Sequence, residues 1–307
     1  MTTAPPTSIL LPTRRWSQVI EELSSQLRSE DELLVICDSE SDTVASRSTK
    51  FPQNVHLIVA GEPEQCSGKA NAIAAGLKAA EHDLIVWTDD DFSHPDGWLS
   101  QLQKDYETSG PVGEIPFFVG ADPLSVLLEP AYALWGSLPL YLGNRPWAGA
   151  VIFSISDLQS SRDMFIDRLT NTVSDDGLLA DEVSVTTHRR VRPVKVGGSV
   201  RATLERHVRF TKIIQYSEAR SPILAGLIIL SSVCCLLFPW LFLVLTTLAS
   251  MLSYFSLQTR RWTFILAYPS LLLIAPLLLY SLWRRSFVWH NRRYYWDDRF
   301  TVRIACS

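Results

Sequence analysis

The stretch LIVWTDDD, Leu84–Asp91, joins an apolar run typical of a buried β-strand to three consecutive carboxylates, Asp89, Asp90 and Asp91. In open α/β sheets, ligands bind in the crevice outside the carboxyl ends of the strands. Carboxylates clustered there repel one another unless a cation neutralises them, and their hard oxygen atoms suit Mg²⁺ or Mn²⁺. The stretch therefore predicts a metal site that can seat a diphosphate; the alternative is an acidic surface turn.

Three apolar runs upstream also end at polar or acidic residues. They are SILLPT at Ser8–Thr13, LLVICD at Leu33–Asp38 and HLIVAG at His56–Gly61. Helical patterns follow the first and third runs, at Trp16–Leu27 and Gly68–Ala80. Strands that alternate with helices of this length indicate βαβ units, so we expect an α/β fold with a mostly parallel sheet.

Composition limits the partners of the chain. Its 307 residues, 47% of them hydrophobic, are enough to bury a sizeable core in one or two domains. Residues 1–200 carry 28 acidic and 15 basic side chains, whereas residues 201–307 carry 4 acidic and 13 basic ones. The acidic part argues against a nucleic-acid partner, and the basic part, interleaved with apolar runs, indicates an anionic membrane surface.

Cysteine spacing and the first residues bear on the compartment. The five cysteines have no CxxC spacing, so we expect neither a zinc site nor a disulfide framework. The first twelve residues, MTTAPPTSILLP, lack the basic start and apolar core of a secretory signal. We therefore expect the acidic N-terminal part to remain in the cytoplasm.

The second half of the chain contains long apolar stretches. Residues 201–220 have an amphipathic pattern, which predicts a helix lying in the membrane interface. Ser221–Ser256 has no charged residue over 36 positions. One helix of that length would measure about 54 Å, against a hydrocarbon core of about 30 Å. The break at Phe238–Trp240 therefore predicts a hairpin that crosses the membrane twice.

Several segments leave alternatives open. A third apolar stretch, Trp262–Trp283, lies between Arg260–Arg261 and a basic tail. A single crossing would place these basic residues on opposite sides of the membrane, whereas a re-entrant path would keep both in the cytoplasm. Upstream, the pattern weakens from Pro95 to Gly120. Asp122–Gly143 fits either a buried helix pair or a surface that touches lipid, since Glu129 argues against a spanning helix.

The order of several motifs resembles a known enzyme family. SILLPTRR, LLVICDSESD, SGKANAIAAG and VWTDDDFSHPDGWL resemble the nucleotide-sugar half of a family 2 inverting glycosyltransferase with the GT-A fold. Downstream, RPWAGAVIF, TVSDDGLLADE, RHVRF and WHNRRYYW are similar to the ceramide glucosyltransferase-like branch, which glycosylates lipids at the cytosolic face. The resemblance covers roughly residues 7 to 296.

The resemblance implies a domain plan. Residues 1–200 would form a cytosolic GT-A catalytic domain with a mixed, mostly parallel sheet, followed by C-terminal transmembrane helices. Residues 201–220 would be the interfacial helix and 221–283 the transmembrane region, made of a hairpin and the third apolar stretch. Residues 284–307 would be a basic cytosolic tail. The protein would then be an integral membrane protein with its catalytic domain on the cytoplasmic face.

The resemblance also assigns donor-binding residues. Pro12 and Thr13 would line the uracil pocket, and Asp38 would accept a hydrogen bond from uracil or ribose; its alternative is a turn cap. Lys69, at a helix start where free N–H groups favour anions, would contact a phosphate or the uracil edge. The alternative for Lys69 is a solvated lysine in the first turn.

The acidic stretch after the fourth strand would hold the metal. Residues two apart on an extended strand end point to one side, which pairs Asp89 with Asp91. Asp91 would bind Mg²⁺ or Mn²⁺ directly, with Asp89 in the same site and near the sugar or ribose hydroxyls. Asp90 would be structural. The metal would stabilise negative charge on the departing diphosphate.

The downstream motifs would supply the base and the acceptor pocket. Asp176 is the expected general base and Asp175 the second candidate, because a base must be a carboxylate within reach of the acceptor hydroxyl. The alternative is an acidic helix start, where Asp is favoured. Trp147 and Gly149 would shape the acceptor pocket, unless they are ordinary core residues.

Two arginines would clamp the diphosphate. Arg206 and Arg209 in RHVRF are three residues apart and share one helix face, and their forked donors suit phosphate. Their alternative is a basic membrane surface, and we expect His207 to be a bystander. The chain departs from the family pattern at two places. Phe210 stands where a Trp is usual, and CDSESD stands where Asp-Asp-Gly-Ser is usual.

Together these features predict a membrane-bound enzyme that moves a sugar, glucose as the first guess, from a UDP-sugar to a lipid hydroxyl with inversion. A polyprenyl-phosphate sugar transferase is the alternative enzyme. A catalytically inactive membrane scaffold of the same fold is the alternative from another class.

Overall fold

The computed structural model describes residues 5–217 and 220–306; residues 1–4, 218–219 and 307, which the domain plan includes, lie outside it. The strands in this part are β1 (Thr7–Pro12), β2 (Glu32–Cys37), β3 (Val55–Val59), β4 (Leu84–Thr88), β5 (Val112–Gly120), β6 (Ala150–Ser154), β7 (Thr186–Val196), β8 (Ser286–Trp289), β9 (Arg292–Asp298) and β10 (Thr301–Cys306). The α-helices are α1 (Gln18–Ser24), α2 (Gly68–Ala79), α3 (Trp98–Ser109), α4 (Pro123–Tyr132), α5 (Leu138–Leu142), α6 (Arg162–Leu169), α7 (Asp175–Glu182), α8 (Val200–Ser217), α9 (Ser221–Leu237), α10 (Pro239–Ser256) and α11 (Ala267–Trp283). Short 3-10 helices span Ala45–Lys50, Ile155–Asp157 and Trp262–Leu266, and a π-helix spans Ala133–Ser137.

Contacts divide the chain into two compact units. Unit 1 contains the chain up to Ile115 together with Asn144–Arg190, and unit 2 contains Pro116–Gly143 and Val191–Ser307. This grouping differs from the linear boundary expected at residue 200. The reason is packing, because Leu128 of α4 belongs to the same apolar cluster as residues of α8, α9 and α11.

A seven-stranded sheet has the strand order β3-β2-β1-β4-β6-β5-β7. The strands β3, β2, β1 and β4 pair in parallel, whereas β6 is antiparallel to both β4 and β5. The expected α/β fold with a mixed, mostly parallel sheet is confirmed. Because β1, β2 and β4 run in parallel, the residues that follow them emerge at one edge of the sheet.

The core of unit 1 explains why these strands form. Strands β1, β2 and β4 are apolar almost throughout and buried, as expected for parallel strands covered on both faces. Helix α2 approaches the sheet closely through Gly76, where a Cβ would overlap Ile36 and lie 2.9 Å from Leu10 Cδ2. The position of α2 therefore depends on a residue without a side chain.

The stretch from Pro95 to Gly120, where the sequence pattern weakens, contains α3 and β5. Leu99 and Leu102 of α3 are buried, and Trp98 Nε1 donates a 3.0 Å hydrogen bond to Glu114 Oε2 on β5. A polar partner for a buried indole is a tertiary feature that a local pattern does not reveal.

Helix α8 confirms the helix predicted for this segment, but its basic side is not uniformly solvated. Lys212 is 6% exposed, and its Nζ donates to Gln215 Oε1 at 3.1 Å. The predicted break between α9 and α10 lies at Phe238, whose backbone is not helical. Among the described residues, Pro239–Ser256 and Trp262–Trp283 are long and apolar enough to cross a membrane, and α9 is a shorter apolar helix.

The apolar segment Asp122–Gly143 contains α4, the π-helix and α5, with Glu129 buried in unit 2. Arg261 binds the Glu129 carboxylate through two hydrogen bonds, of 3.0 Å and 2.7 Å, and Gly120 N donates a third, of 2.8 Å. The carboxylate of Glu129 is therefore a structural group of α4, paired with an arginine from the connection between α10 and α11.

Residues 284–307, expected as a basic tail, contain a folded antiparallel sheet in the order β10-β9-β8. His290 and Asn291 connect β8 and β9 with φ angles of 49° and 63°. Two consecutive positive φ angles define the type I′ turn that suits a two-residue hairpin. Tail composition alone, which is basic and aromatic, did not indicate this pairing.

Candidate active site

Residues that follow β1 and β4 meet at the carboxyl edge of the unit 1 sheet. Thr13, directly after Pro12, donates through its N–H to Ile36 O at 2.8 Å and through Oγ1 to Asp90 Oδ2 at 2.6 Å. Asp90 thus turns toward β1 and ties the two strand ends together. This contact gives Asp90 a structural part, as the sequence suggested.

Asp38 lies in an acidic loop at the end of β2. Its carboxylate is 3.5 Å from Arg14 Nε, which also contacts Asp42 Oδ1 at 3.1 Å. Asp42 Oδ2 accepts the backbone N–H groups of Asp38 and Ser39, each at 3.0 Å. Sequence reasoning missed Asp42, although its place in CDSESD, four residues after Asp38, suits a loop that folds back on its own backbone.

Lys69 lies between the two acidic motifs. Its Nζ is 2.7 Å from Asp89 Oδ1, 3.0 Å from Asp89 Oδ2 and 3.2 Å from Asp175 Oδ2. Ser67 positions the helix start, because its Oγ accepts the N–H of Ala70 at 3.0 Å. Lys69 is therefore a bridge between carboxylates from β4 and α7 and not a solvated lysine.

Charge and burial shift the pKa values in this cluster. Burial lowers the pKa of Lys69, but attraction to Asp175, Asp89 and Asp176 outweighs it and leaves the pKa above the usual value. Burial raises the pKa of Asp89; Lys69 opposes that shift, and repulsion from Asp91 adds to it. The ammonium of Lys69 thus compensates the burial of Asp89 and Asp175.

The two aspartates of α7 have different surroundings. Ser174 caps this helix by accepting the N–H of Gly177 at 3.0 Å, so the residues also form the acidic helix start considered above. Asp175 is buried and faces Lys69, whereas Asp176 is half-buried and its Oδ1 accepts the N–H of Ala148 at 2.6 Å. The pair thus joins the Lys69 cluster to the WAGA segment.

Gly149 packs directly against the carboxylate cluster. Its carbonyl accepts the N–H of Asp89 at 3.2 Å. A Cβ at this position would overlap the Trp147 ring and lie 2.8 Å from Asp89 Oδ2. Trp147 is 8% exposed, and its ring centroid lies 5.3 Å from that of Phe92, in the loop after the three aspartates. Both expected acceptor residues are therefore part of the wall behind Asp89.

His94 is a buried residue near the site that sequence reasoning missed. Its Nε2 shares a 2.6 Å hydrogen bond with Thr88 Oγ1, and its backbone N–H donates to Glu22 Oε2 at 2.8 Å. Its ring centroid is 4.3 Å from that of Phe92. These contacts fix the loop that carries Asp91.

The acidic loop offers oxygen donors for a shared cation. The side chain of Asp91 is exposed, and the carboxylate of Asp89 binds Lys69. Within the described residues, no group of three or more His, Cys, Asp or Glu side chains is arranged to hold a metal ion. Mg²⁺ sites often use one or two carboxylates together with substrate phosphates and water. The donor set fits an ion of that kind, completed by a diphosphate.

Arg206 and Arg209 belong to unit 2, where aromatic rings cover them. The Arg206 guanidinium lies 4.8 Å from the Phe118 centroid and 4.5 Å from that of Phe210. The Arg209 guanidinium lies 3.9 Å from the Trp289 centroid. Phe210, which stands where a Trp was expected, thus packs under an arginine.

His207 lies between these arginines in sequence but inside unit 2. It is 6% exposed, and Tyr132 OH lies 3.5 Å from its Nδ1. Burial lowers its pKa to about 4. The imidazole is therefore neutral near pH 7 and a weak base, and its expected bystander role stays a prediction.

The family model described as glycosyl transferase family 2 matches residues 8–169, slightly more than half of the chain. The chain belongs to glycosyl transferase family 2. The matched region of this family 2 chain includes Asp38, Lys69 and the three aspartates after β4, and ends before Asp176. With the sheet described above, the expected GT-A fold class is confirmed.

Solved structures with a similar fold include glucosyl-3-phosphoglycerate synthase from Mycobacterium tuberculosis. Its complex with phosphoglyceric acid is 18% identical, with 68% of this chain and 77% of that chain covered and a TM-score of 0.42. Its complex with Mn²⁺, UDP and glucosyl-3-phosphoglycerate is 17% identical, with the same coverage and a TM-score of 0.41. A structure described as a mycobacterial protein is 18% identical, with 68% and 72% covered and a TM-score of 0.43. The search of curated proteins finds no match.

Proposed function

We propose that this family 2 chain is a membrane-bound inverting glycosyltransferase that moves a sugar from a UDP-sugar to a lipid hydroxyl. The observation that carries the proposal is the Lys69 bridge between Asp89 and Asp175. It gathers a donor-side carboxylate and an acceptor-side carboxylate around one cation at the carboxyl edge of a parallel sheet. An open edge of this kind is where α/β proteins bind nucleotides.

Donor binding uses residues at three strand ends. Pro12, Thr13 and Asp38 hold uracil and ribose, and Arg14 keeps Asp38 oriented through its 3.5 Å contact. Asp91, with Asp89, would hold Mg²⁺ or Mn²⁺, which supplies electrostatic stabilisation of the diphosphate leaving group. The exposure of Asp91 supports this assignment, because a shared ion needs a carboxylate that faces the ligand.

The chain also supplies cationic groups for the diphosphate. Lys69 contributes a charge next to Asp89, and Arg206 and Arg209 contribute forked donors. Stacking on Phe118, Phe210 and Trp289 fixes the planes of the two guanidinium groups. Planar groups held by rings lose less freedom when they bind phosphate.

Asp176 is the proposed general base. It removes the proton from the acceptor hydroxyl while that oxygen forms a bond to the anomeric carbon. The bond from the anomeric carbon to the diphosphate oxygen breaks, its electron pair leaves with UDP, and attack from the opposite face inverts the centre. Asp175 is buried against Lys69, so the half-buried Asp176 is better placed to meet an acceptor.

The acceptor is proposed to be a lipid, with glucose as the first sugar to test. Apolar helices in unit 2 support a membrane-embedded chain, and the resemblance to the ceramide glucosyltransferase-like branch supports a catalytic domain on the cytoplasmic face. Trp147 and Gly149 would limit the acceptor pocket from the side of Asp89.

Transfer from labelled donors tests the proposal. Membranes containing the full chain are incubated with radiolabelled UDP-sugars, with and without EDTA, and the lipids are extracted. We expect labelled lipid that disappears with EDTA. We expect Asp176→Asn to reduce the rate by roughly 10²- to 10⁴-fold, the usual contribution of a positioned base. Asp181→Asn, on the exposed end of the same helix, is the matched control and retains activity.

The other outcomes separate the alternatives. A phosphate acceptor needs no strong base, so unchanged transfer in Asp176→Asn would favour the polyprenyl-phosphate sugar transferase. Absence of transfer from every donor, together with absence of UDP binding, would contradict the enzyme assignment and favour the inactive scaffold.

A further inference from the structure

Unit 2 contains bonds between the segments that immediately precede and follow its apolar helices. We propose that the chain enters the bilayer through α9 and α10 and returns to the side it left, while α11 packs within unit 2 and does not cross. This inference rests on the membrane association in the proposed function and specifies its path. It replaces the sequence expectation of two complete crossings.

The segment that precedes the apolar helices, α8, contacts the segment that follows them, residues 284–298. Glu205 of α8 accepts hydrogen bonds from Arg284 Nη2 at 3.0 Å and from Val288 N at 2.9 Å. Tyr216 OH, at the end of α8, donates to Trp296 O at 3.0 Å. Polar groups that bond each other lie on one side of a hydrocarbon layer, so the chain between them crosses an even number of times. Three crossings by α9, α10 and α11 are incompatible with these contacts.

Helix α11 has protein neighbours along its length. Leu271, Ile274 and Leu277 share an apolar cluster with Leu128 of α4 and with α8 residues such as Leu204. In a spanning α11, the neighbouring α8, with its arginines and Glu205, would lie at hydrocarbon depth, where charged side chains are unfavourable. Ion pairs flank the helix: Arg261 with Glu129 precedes it, and Arg284 with Glu205 follows it. These observations favour a path in which α11 packs by one face within unit 2.

The connection between α9 and α10 has the opposite character. Leu237 is 67% exposed, Phe238 56% and Trp240 81%, and none of residues 233–245 is charged or carries a hydroxyl group. Polar residues lie instead at the outer ends, where Arg220 precedes α9 and Arg260 follows α10. In a double crossing the connection would emerge among headgroups and water. An apolar connection with polar outer ends instead fits a path that turns within the hydrocarbon.

The lengths of α9 and α10 are at the short end of the range for spanning helices and are compatible with a path that turns within the hydrocarbon. Helix α9 has 17 residues and α10 has 18, which corresponds to about 25 Å and about 27 Å, whereas the hydrocarbon core is about 30 Å thick. The exposed side chains on both helices are predominantly apolar, including Leu230, Leu236, Val244 and Leu252. A phospholipid bilayer is the occupant that covers such a surface without a complementary polar rim.

Cysteine accessibility in sealed vesicles tests the path. All five native cysteines are replaced by alanine, and single cysteines are introduced as Ala202→Cys in α8, Arg303→Cys in β10 and Trp240→Cys in α10. Ala202 and Arg303 are exposed in unit 2. A membrane-impermeant maleimide is added outside the vesicles, inside them, or after detergent. We expect Ala202→Cys and Arg303→Cys to be labelled from the same side, and Trp240→Cys to be labelled only after detergent.

Two results would overturn the proposed path. Labelling of Arg303→Cys from the side opposite to Ala202→Cys would require an odd number of crossings. Labelling of Trp240→Cys from that opposite side would show a double crossing. Leu237→Cys, in the same exposed connection between α9 and α10, is a second reporter with the same expected labelling in case Trp240→Cys fails to fold.

Extraction of the same vesicles with carbonate separates this proposal from the function on which it rests. If the chain is retained in the membrane and Arg303→Cys is labelled from the side opposite to Ala202→Cys, only the returning path is contradicted. Release of the chain as a soluble dimer would mean that a second copy covers the apolar helices, and would contradict membrane association itself.

Discussion

Lys69 is the residue that holds the two acidic motifs of unit 1 together, and its removal tests that role. Lys69→Met would leave Asp89 and Asp175 close together without their shared cation. We expect the metal-free protein to lose about 1–3 kcal/mol in free energy of unfolding, the cost of an unsatisfied buried polar group. Denaturant unfolding measures the change.

The matched control for this change is Lys78→Met, on the exposed side of the same helix α2. Exposed substitutions of this kind usually alter stability by no more than about 0.5 kcal/mol. Equal stabilities of Lys69→Met and Lys78→Met would mean that the bridge contributes nothing to the fold of the site.

Gly149 provides a steric test of the wall behind Asp89. Gly149→Ala would force its Cβ into the Trp147 ring and against Asp89, so the carboxylate must shift. Displacement of a catalytic group by about 1 Å can cost on the order of 100-fold in rate, and we expect a fall of that order in kcat/KM. Gly113→Ala, where the nearest atom is 3.8 Å from the added Cβ, is the control. Full activity in Gly149→Ala would contradict the rigid wall.

At the scale of elements, the Glu129–Arg261 pair links α4 to the connection between α10 and α11. Arg261→Met would leave a buried carboxylate without its cation, which costs about 3–5 kcal/mol at fully buried sites; because Arg261 is 33% exposed, we expect about 3 kcal/mol. The double variant Glu129→Gln with Arg261→Met removes the charge and should recover most of that loss. Unfolding of the purified protein in detergent measures both.

Two comparisons complete this test. Arg303→Met breaks an exposed pair with Asp297 and should cost less than about 1 kcal/mol. A double variant no more stable than Arg261→Met alone would show that the loss comes from packing and not from the unpaired carboxylate.

The sequence predicted the elements whose signal is local. Four apolar runs gave β1 to β4, and the Ala-rich pattern after His56–Gly61 gave α2. Because strand ends in a parallel sheet meet at one edge, the residues that follow these runs were expected at a common site, but the contact of Thr13 with Asp90 came only from the structure. These predictions needed only the hydrophobic period, the length and the residue composition of each segment.

Features that depend on distant partners were not predictable. In the sequence, Glu129 argues against an apolar helix, because its partner Arg261 lies 132 residues later and is adjacent only in the fold. His94 reads as a loop residue because its partners, Thr88 and Glu22, are set by tertiary packing. The tail sheet was missed for the same reason, since its aromatic residues pack on α8, as Trp296 does on Tyr216.

For the whole molecule, ion pairs within unit 2 change how the positive net charge of the C-terminal part is interpreted. Residues 201–307 carry 13 basic and 4 acidic side chains. Some of these charges are engaged within unit 2, as in the pairs of Arg261 with Glu129 and of Arg284 with Glu205. In the proposed membrane association, contact with the bilayer therefore depends more on the apolar surface of α9 and α10 than on the net charge of residues 201–307.

The central claim concerns the carboxylates after β4, and calorimetric titration of UDP into the purified full chain tests it most directly. We predict binding that requires Mn²⁺ and is weakened at least about 10-fold, or about 1.4 kcal/mol, by Asp91→Asn. Asp96→Asn, an exposed residue in the same loop, should bind like the original protein. Binding of UDP that is equally tight without Mn²⁺, or unchanged in Asp91→Asn, would contradict the claim.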